Sequence, residues 1–311
     1  MSDTYIQLAS QGRNHWWRYL LGTLLTFFLF FAGSMLTLGL FVLYIANDSN
    51  PLTQLASPEA IEAGQALFTG IDPLVLYVVY NLAFPFFLLG IYLSLRLLHG
   101  RGLRSLITPQ PQISYRRIWQ GFWIFFVLKV LEILTAIALT PSDFTLNFQP
   151  GAFLSFLPFI VLLTPLQTAT EELFFRGYLL QGVGYRLGKW AAILFPSVLF
   201  ALMHLSNPEV TSQAGWTGVA SLAVYYFMIG AFLAWLTVKE NTLELAMGVH
   251  AANNMATFLL VTSKDSVIPS PAIFSVKEIE ANFSLVFFTA VWLLAFSVIV
   301  FRVLRRPLAK P

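Results

Sequence analysis

Apolar runs of about 20 residues, the length a helix needs to cross a bilayer, recur along this chain from Trp16 to Val303. A lipid interior gives backbone N–H and C=O groups no water to bond, so each run must satisfy its own backbone, as a helix does. The expected spans are Trp17 to Ala46, Pro73 to Leu98, Ile118 to Thr140, Ala152 to Gly182, Trp190 to Asn207, Trp216 to Val238, Leu243 to Thr262 and Phe283 to Val303. Composition agrees: 57% of residues are hydrophobic and 11% charged, where a soluble domain carries roughly 25% charged residues. No stretch is left over for a sizeable soluble domain. The first run exceeds the roughly 7 to 15 residue core of a signal peptide and lacks a small-residue cleavage site, so it is expected to be retained. The fold class expected is therefore all-α, a polytopic membrane protein of about eight transmembrane helices.

Several chemistries are excluded at once. There is no cysteine, which removes thiol nucleophiles, thiolate metal sites, disulfides and thioether or thioester lipid anchors. The net charge of +3 does not mark a nucleic-acid partner, because the basic residues flank the apolar runs on one side. With the amino terminus inside, the inner segments hold Arg13, Arg18, Arg96, Arg101, Arg104, Arg116, Arg117, Arg176, Arg186, Lys189, Lys239, Arg302, Arg305, Arg306 and Lys310, fifteen of eighteen basic residues. The first outer loop instead carries Asp48, Glu59, Glu62 and Asp72, and Lys264 and Lys277 lie outside. This bias predicts both termini in the cytoplasm and an even number of spans. Short loops and the lack of a retention signal favour a bacterial plasma membrane.

Ionisable side chains at membrane depth cost at least a few kcal/mol each, so those that occur line a cavity or pair with one another. His204 and His250 fall within the fifth and seventh spans, whereas His15 and His99 lie at the inner margin. In the fourth span Thr164, Gln167, Thr168 and Glu171 share one helical face, a polar stripe suited to a wet cavity. Glu172 and Arg176 stand at i and i+4, where they can form an ion pair. That separates two adjacent acids, one held structurally and one facing the stripe. On spacing alone an equally good account has both acids only neutralising Arg176.

Phe200 and His204, and His250 and Asn254, repeat the i, i+4 spacing. Either histidine alone is explained by an interhelical hydrogen bond. Counting the helical rise from each inner end, Glu171, His204, His250 and Asn254 all lie roughly 12 to 23 Å deep, near one level. Lys129 and Glu132, at i and i+3, are expected to pair with each other, and Glu244 is expected at the interface. Tryptophans 16, 17, 119, 190 and 216 sit at span ends as an interfacial belt.

At these residues the chain resembles a known family. Glu-Glu-x-x-x-Arg at Glu171, Glu172 and Arg176, Phe-x-x-x-His at Phe200 and His204, and His-x-x-x-Asn at His250 and Asn254 match, in order, the motifs of the CAAX protease and bacteriocin-processing (CPBP, or Abi) family. These are intramembrane glutamic endopeptidases related to the type II CAAX prenyl endopeptidases. The resemblance divides the chain into amino-terminal helices (1–150), catalytic core helices (151–262) and a carboxy-terminal helix with a basic tail (263–311). It implies eight helices around a cytoplasm-facing polar cavity. It also implies that Glu171 and His204 activate a water for attack on a peptide carbonyl, that His250 and Asn254 stabilise the oxyanion, and that Glu172, Arg176 and Phe200 support them. No metal or other cofactor is expected, and the partners expected are the lipid bilayer and a membrane-associated protein or peptide substrate.

Three alternatives stand beside this. A zinc protease could use Glu171, His204 and His250, since three nitrogen and oxygen ligands plus water satisfy a catalytic zinc. A non-catalytic scaffold or immunity protein would keep the cluster for packing, and a transporter would use Lys129, Glu132 and Glu171 as a relay.

Overall fold

The apolar runs form helices whose ends carry recognisable stop and start chemistry. In the computed structural model, residues 4–47, 72–277 and 281–304 are described. The sidedness expected of Asp48, Glu59, Glu62, Arg305, Arg306 and Lys310 concerns residues outside that set. Helix α1 is Trp16–Asn47 and α2 is Pro73–His99, opened by Asp72, whose side chain accepts from Leu74 N at 2.8 Å with proline at the first helical position. Helix α3 is Tyr115–Leu139.

The next apolar stretch, Pro150–His204, is helical throughout by hydrogen bonding, yet Gly188 has φ 83° and ψ 177°. Phe175 and Phe200 settle its shape, for their ring centroids are 5.3 Å apart. A continuous helix would hold them about 37 Å apart. The stretch is a hairpin turned at Gly188, a conformation that suits glycine because it has no Cβ. We call its arms α4 (residues 150–187) and α5 (residues 189–204). Helix α6, Trp216–Glu240, ends on Asn241 in the left-handed conformation (φ 55°), and α7 follows as Glu244–Leu260. Helix α8, Phe283–Val298, is capped by Asn282, which accepts from Ser284 N at 2.9 Å.

Among the described residues, six helices are long and apolar enough to cross a membrane, with the hairpin taken as one. The protein is a polytopic, all-α membrane protein. The expected count of about eight follows from taking α4 and α5 separately and adding α7, which is shorter and lies inside the bundle. Helix α7 packs against α3, α4 and α6. Its approach to α3 is close: a Cβ on Gly248 would lie 2.0 Å from the Ile118 carbonyl oxygen, and one on Gly121 2.4 Å from that of Leu245. Small residues at such a crossing let two helix backbones meet.

Three short strands form a sheet that the sequence pattern does not announce. Strand β1 (Phe144–Leu146) is antiparallel to β3 (Phe274–Val276), and β2 (Val261–Ser263), which leaves the end of α7, is parallel to β3. The opposite end of the bundle gathers the basic residues. There Arg13 N donates to His99 O at 2.9 Å, Arg18 to Leu98 O at 2.6 Å and Arg186 to Asn14 O at 2.7 Å. Glu244, expected at the interface, is buried at this end, accepting from Ser114 N at 2.6 Å and standing 4.0 Å from Arg117.

Candidate active site

Glu171 and Glu172 end the regular part of α4, and the next seven residues, Leu173–Leu179, form a wider π-helical turn. Such turns recur at functional sites because they re-aim side chains. Arg176 lies within it, fully buried, and its Nη1 donates to Glu172 Oε1 at 2.8 Å as the i, i+4 spacing predicts. A buried guanidinium needs more than one acceptor. The Gly230 carbonyl supplies a second at 3.3 Å, and the Phe200 ring lies 4.3 Å below the guanidinium carbon.

Glu172 has a further partner that helix geometry alone does not reveal. His250 Nδ1, from α7, stands 2.8 Å from the same Oε1. The other ring nitrogen, Nε2, faces Glu171 Oε2 at 3.8 Å. One imidazole therefore bridges two adjacent carboxylates. Because Glu172 is tied to Arg176 and accepts only, it fixes the Nδ1–H of His250 and aims Nε2 at Glu171. Glu171 is the looser of the two acids. Its side chain is 12% exposed where that of Glu172 is 0%, and its other oxygen is 3.4 Å from Gln167 Nε2. A gap of 3.8 Å is too long for a direct hydrogen bond, but a single water about 2.8 Å from each atom would join them.

His204 is the last residue of α5. Its Nδ1 is 2.7 Å from the Phe200 carbonyl, which can only accept, so Nδ1 carries a proton and the neutral ring keeps its lone pair on Nε2. The ring is held between Phe200 at 4.2 Å and Tyr226 at 4.6 Å. Asn254 lies one turn beyond His250, and its side-chain oxygen accepts from Asn253 Nδ2 at 3.1 Å, leaving its own Nδ2 to donate. Thus the fold brings Glu171, Glu172, Arg176, Phe200 and His250 into one contact network, sets His204 on Phe200, and places Asn254 on the same helix as His250.

Sequence reasoning missed Asn207, Glu209 and Tyr226. Tyr226 donates a short hydrogen bond to Glu209 Oε1, which also accepts from Asn207 Nδ2 at 3.0 Å. The fifth span was expected to run to Asn207, but the helix stops at His204 and Asn207 starts the short helix Pro208–Thr211. The signal available was an Asn-Pro-Glu start, a common way to open a helix. Lys129 and Glu132 form the expected pair at 2.7 Å.

Comparison with known proteins fits this geometry. The family description for type II CAAX prenyl endopeptidases, Rce1-like, matches residues 150–256, which run from the start of α4 to the penultimate turn of α7. An uncharacterized protein of Bacillus subtilis (strain 168), YyaK, is 32% identical over 272 residues, covering 86% of this chain and 86% of its own. No solved structure matches.

Proposed function

This chain belongs to the CPBP family of CAAX-type membrane proteases, and from that premise we propose that it is an intramembrane endopeptidase acting on a membrane-associated protein or peptide. Glu171 and His204 Nε2 hold the attacking water, and Glu171 takes its proton as the oxygen adds to the peptide carbonyl. Asn254 Nδ2 and His250 Nε2–H receive the developing oxyanion. His250 Nδ1 stays engaged by Glu172 in that step. Glu172, Arg176 and Phe200 position these groups rather than react. The proton on Glu171 then passes to the leaving amine.

The observation that carries this reading is the bridge of His250 across both acids, its Nδ1 tied to Glu172 at 2.8 Å and its Nε2 turned to Glu171 at 3.8 Å. The basic-residue bias supports both termini in the cytoplasm, and the short loops support a bacterial plasma membrane. The experiment is a proteomic comparison of membranes bearing the wild-type chain with membranes bearing Glu171→Ala. A released peptide that disappears in the variant is expected. An unchanged set of released peptides would contradict the proposal.

A further inference from the structure

Resting on the reading of His204 as the group that holds the attacking water with Glu171, we propose that Glu209 is a positioning residue for that step. By anchoring the Tyr226 hydroxyl, it holds the tyrosine ring against the His204 imidazole and so fixes where Nε2 points. The need for such a hold follows from the place of His204 as the last residue of α5. Helix ends fray, so a side chain there is held by contacts from other elements. The imidazole has a hydrogen bond within its own helix, between Nδ1 and the Phe200 carbonyl at 2.7 Å. That bond fixes one atom and leaves the plane of the ring free to turn about it.

Two aromatic rings set that plane. Phe200 has its centroid 4.2 Å away and is itself buried, against Phe175 and the Arg176 guanidinium, so it cannot shift without disturbing the ion pair beneath it. Tyr226, from α6, lies 4.6 Å away at 31° and is only half-buried, so its ring is steadied at the far end, by the hydroxyl. That hydroxyl donates a short hydrogen bond to Glu209 Oε1 and accepts from Asn207 Nδ2 at 3.3 Å, while the same Nδ2 reaches Oε1 at 3.0 Å. A tyrosine has one proton to give, and a carboxylate takes it more strongly than a neutral oxygen would. Glu209 therefore acts on the imidazole through the ring of Tyr226.

Glu209 can serve as an anchor because its own backbone is tied. It lies in the short helix Pro208–Thr211, started by Asn207, whose carbonyl accepts from Val210 N at 2.9 Å and from Thr211 N at 3.0 Å. Gln213 Nε2 donates to the Glu209 carbonyl at 2.9 Å, and Gln213 Oε1 accepts from Ala281 N at 3.1 Å, which straps this segment to the chain entering α8. The charge of Glu209 is the second ground. Among the described residues, its Oε2 is buried without a hydrogen-bond partner, and leaving a buried charged acceptor unmatched is destabilising. A glutamine would fill the same space with less penalty. What the charge adds is the strength of the bond to Tyr226, and the ring so held is the one that lies on His204.

The chain has four histidines, so the imidazole NMR signals of the full protein in detergent can be assigned by replacing each in turn. The ring current of Tyr226 shifts the His204 Cε1–H resonance, a readout that needs no substrate. Glu209→Ala and Tyr226→Phe are each expected to move and broaden that resonance while those of His15 and His99 stay in place, and Glu209→Gln, which keeps an acceptor oxygen, should move it less. With the peptide released by wild-type membranes as substrate, the first two variants should lower kcat by about 10- to 10²-fold with KM nearly unchanged, as a small misplacement of a reacting group does. Glu209→Gln should recover part of that rate, and the double variant Glu209→Ala, Tyr226→Phe should be no slower than the slower single one, since both remove one contact. An unmoved His204 resonance in both variants, or a moved resonance with unchanged kcat, would overturn the inference. If the wild-type chain cleaves nothing, the hydrolytic reading fails, and the resonance alone still decides whether Glu209 holds the His204 ring.

Discussion

Two buried polar networks lie along α4, and they differ in the charge they hold. Near the basic end, the Tyr178 hydroxyl donates to His99 Nε2 at 2.9 Å, while Arg101 reaches Gln181 Oε1 at 2.5 Å and the Ser105 carbonyl at 3.2 Å. It uses carbonyl, amide and hydroxyl oxygens, and among the described residues no carboxylate takes part in it. Two helical turns away, Arg176, Glu172 and His250 are as tightly joined, but they hold beside them a second carboxylate whose closest contacts are 3.4 and 3.8 Å. The first network fastens elements together. The second uses tight bonds to aim an imidazole at a loosely held acid.

The comparison is broken most severely by removing the tight pair. Glu172→Ala or Arg176→Ala leaves its partner charged and buried, which should cost about 3 to 5 kcal/mol. Thermal unfolding in detergent should show a large drop in melting temperature, and an unchanged transition would mean that the pair does not hold the site. Smaller, and confined to rate, is the loss of a donor from the reactive side. Asn254→Ala should lower kcat by about 10²- to 10³-fold with KM nearly unchanged, as for one oxyanion donor. A rise in KM alone would assign Asn254 to substrate binding instead. The smallest effect belongs to the other network: Tyr178→Phe removes the one hydroxyl proton that His99 Nε2 and the Arg18 carbonyl share. It should cost about 1 kcal/mol of stability and leave the rate unchanged. A lower rate at constant stability would show that the two networks are coupled.

Much of the fold was legible because lipid imposes one rule on every apolar run, and the spans agree with the helices to within a few residues. The turn between Gly182 and Trp190 was readable as a gap, although hydrogen bonding makes Pro150–His204 look like one helix. The pair of Glu172 with Arg176 followed from i, i+4 spacing, whereas the bond of Glu172 to His250 spans 78 positions and no local periodicity encodes it. For the same reason the reading of Glu172 as the held acid rested on only one of the two contacts that hold it. The sheet escaped notice because three-residue strands leave no period to detect. Tyr226 was hidden among the apolar residues of α6, and its partner Glu209 gained meaning only when the helix before it proved to end at His204.

In the proposed mechanism Glu171 and His204 activate water without a metal, and metal dependence tests it most directly. Purified protein would be dialysed against chelator, assayed for metal, and then incubated in ¹⁸O-labelled water with the peptide that its membranes release. The account predicts cleavage undiminished by dialysis, with one ¹⁸O atom in the new carboxylate, and no cleavage by Glu171→Gln treated alike. About one zinc ion per chain, lost on dialysis together with activity and restoring activity when added back, would contradict it and assign Glu171, His204 and His250 to a metal instead.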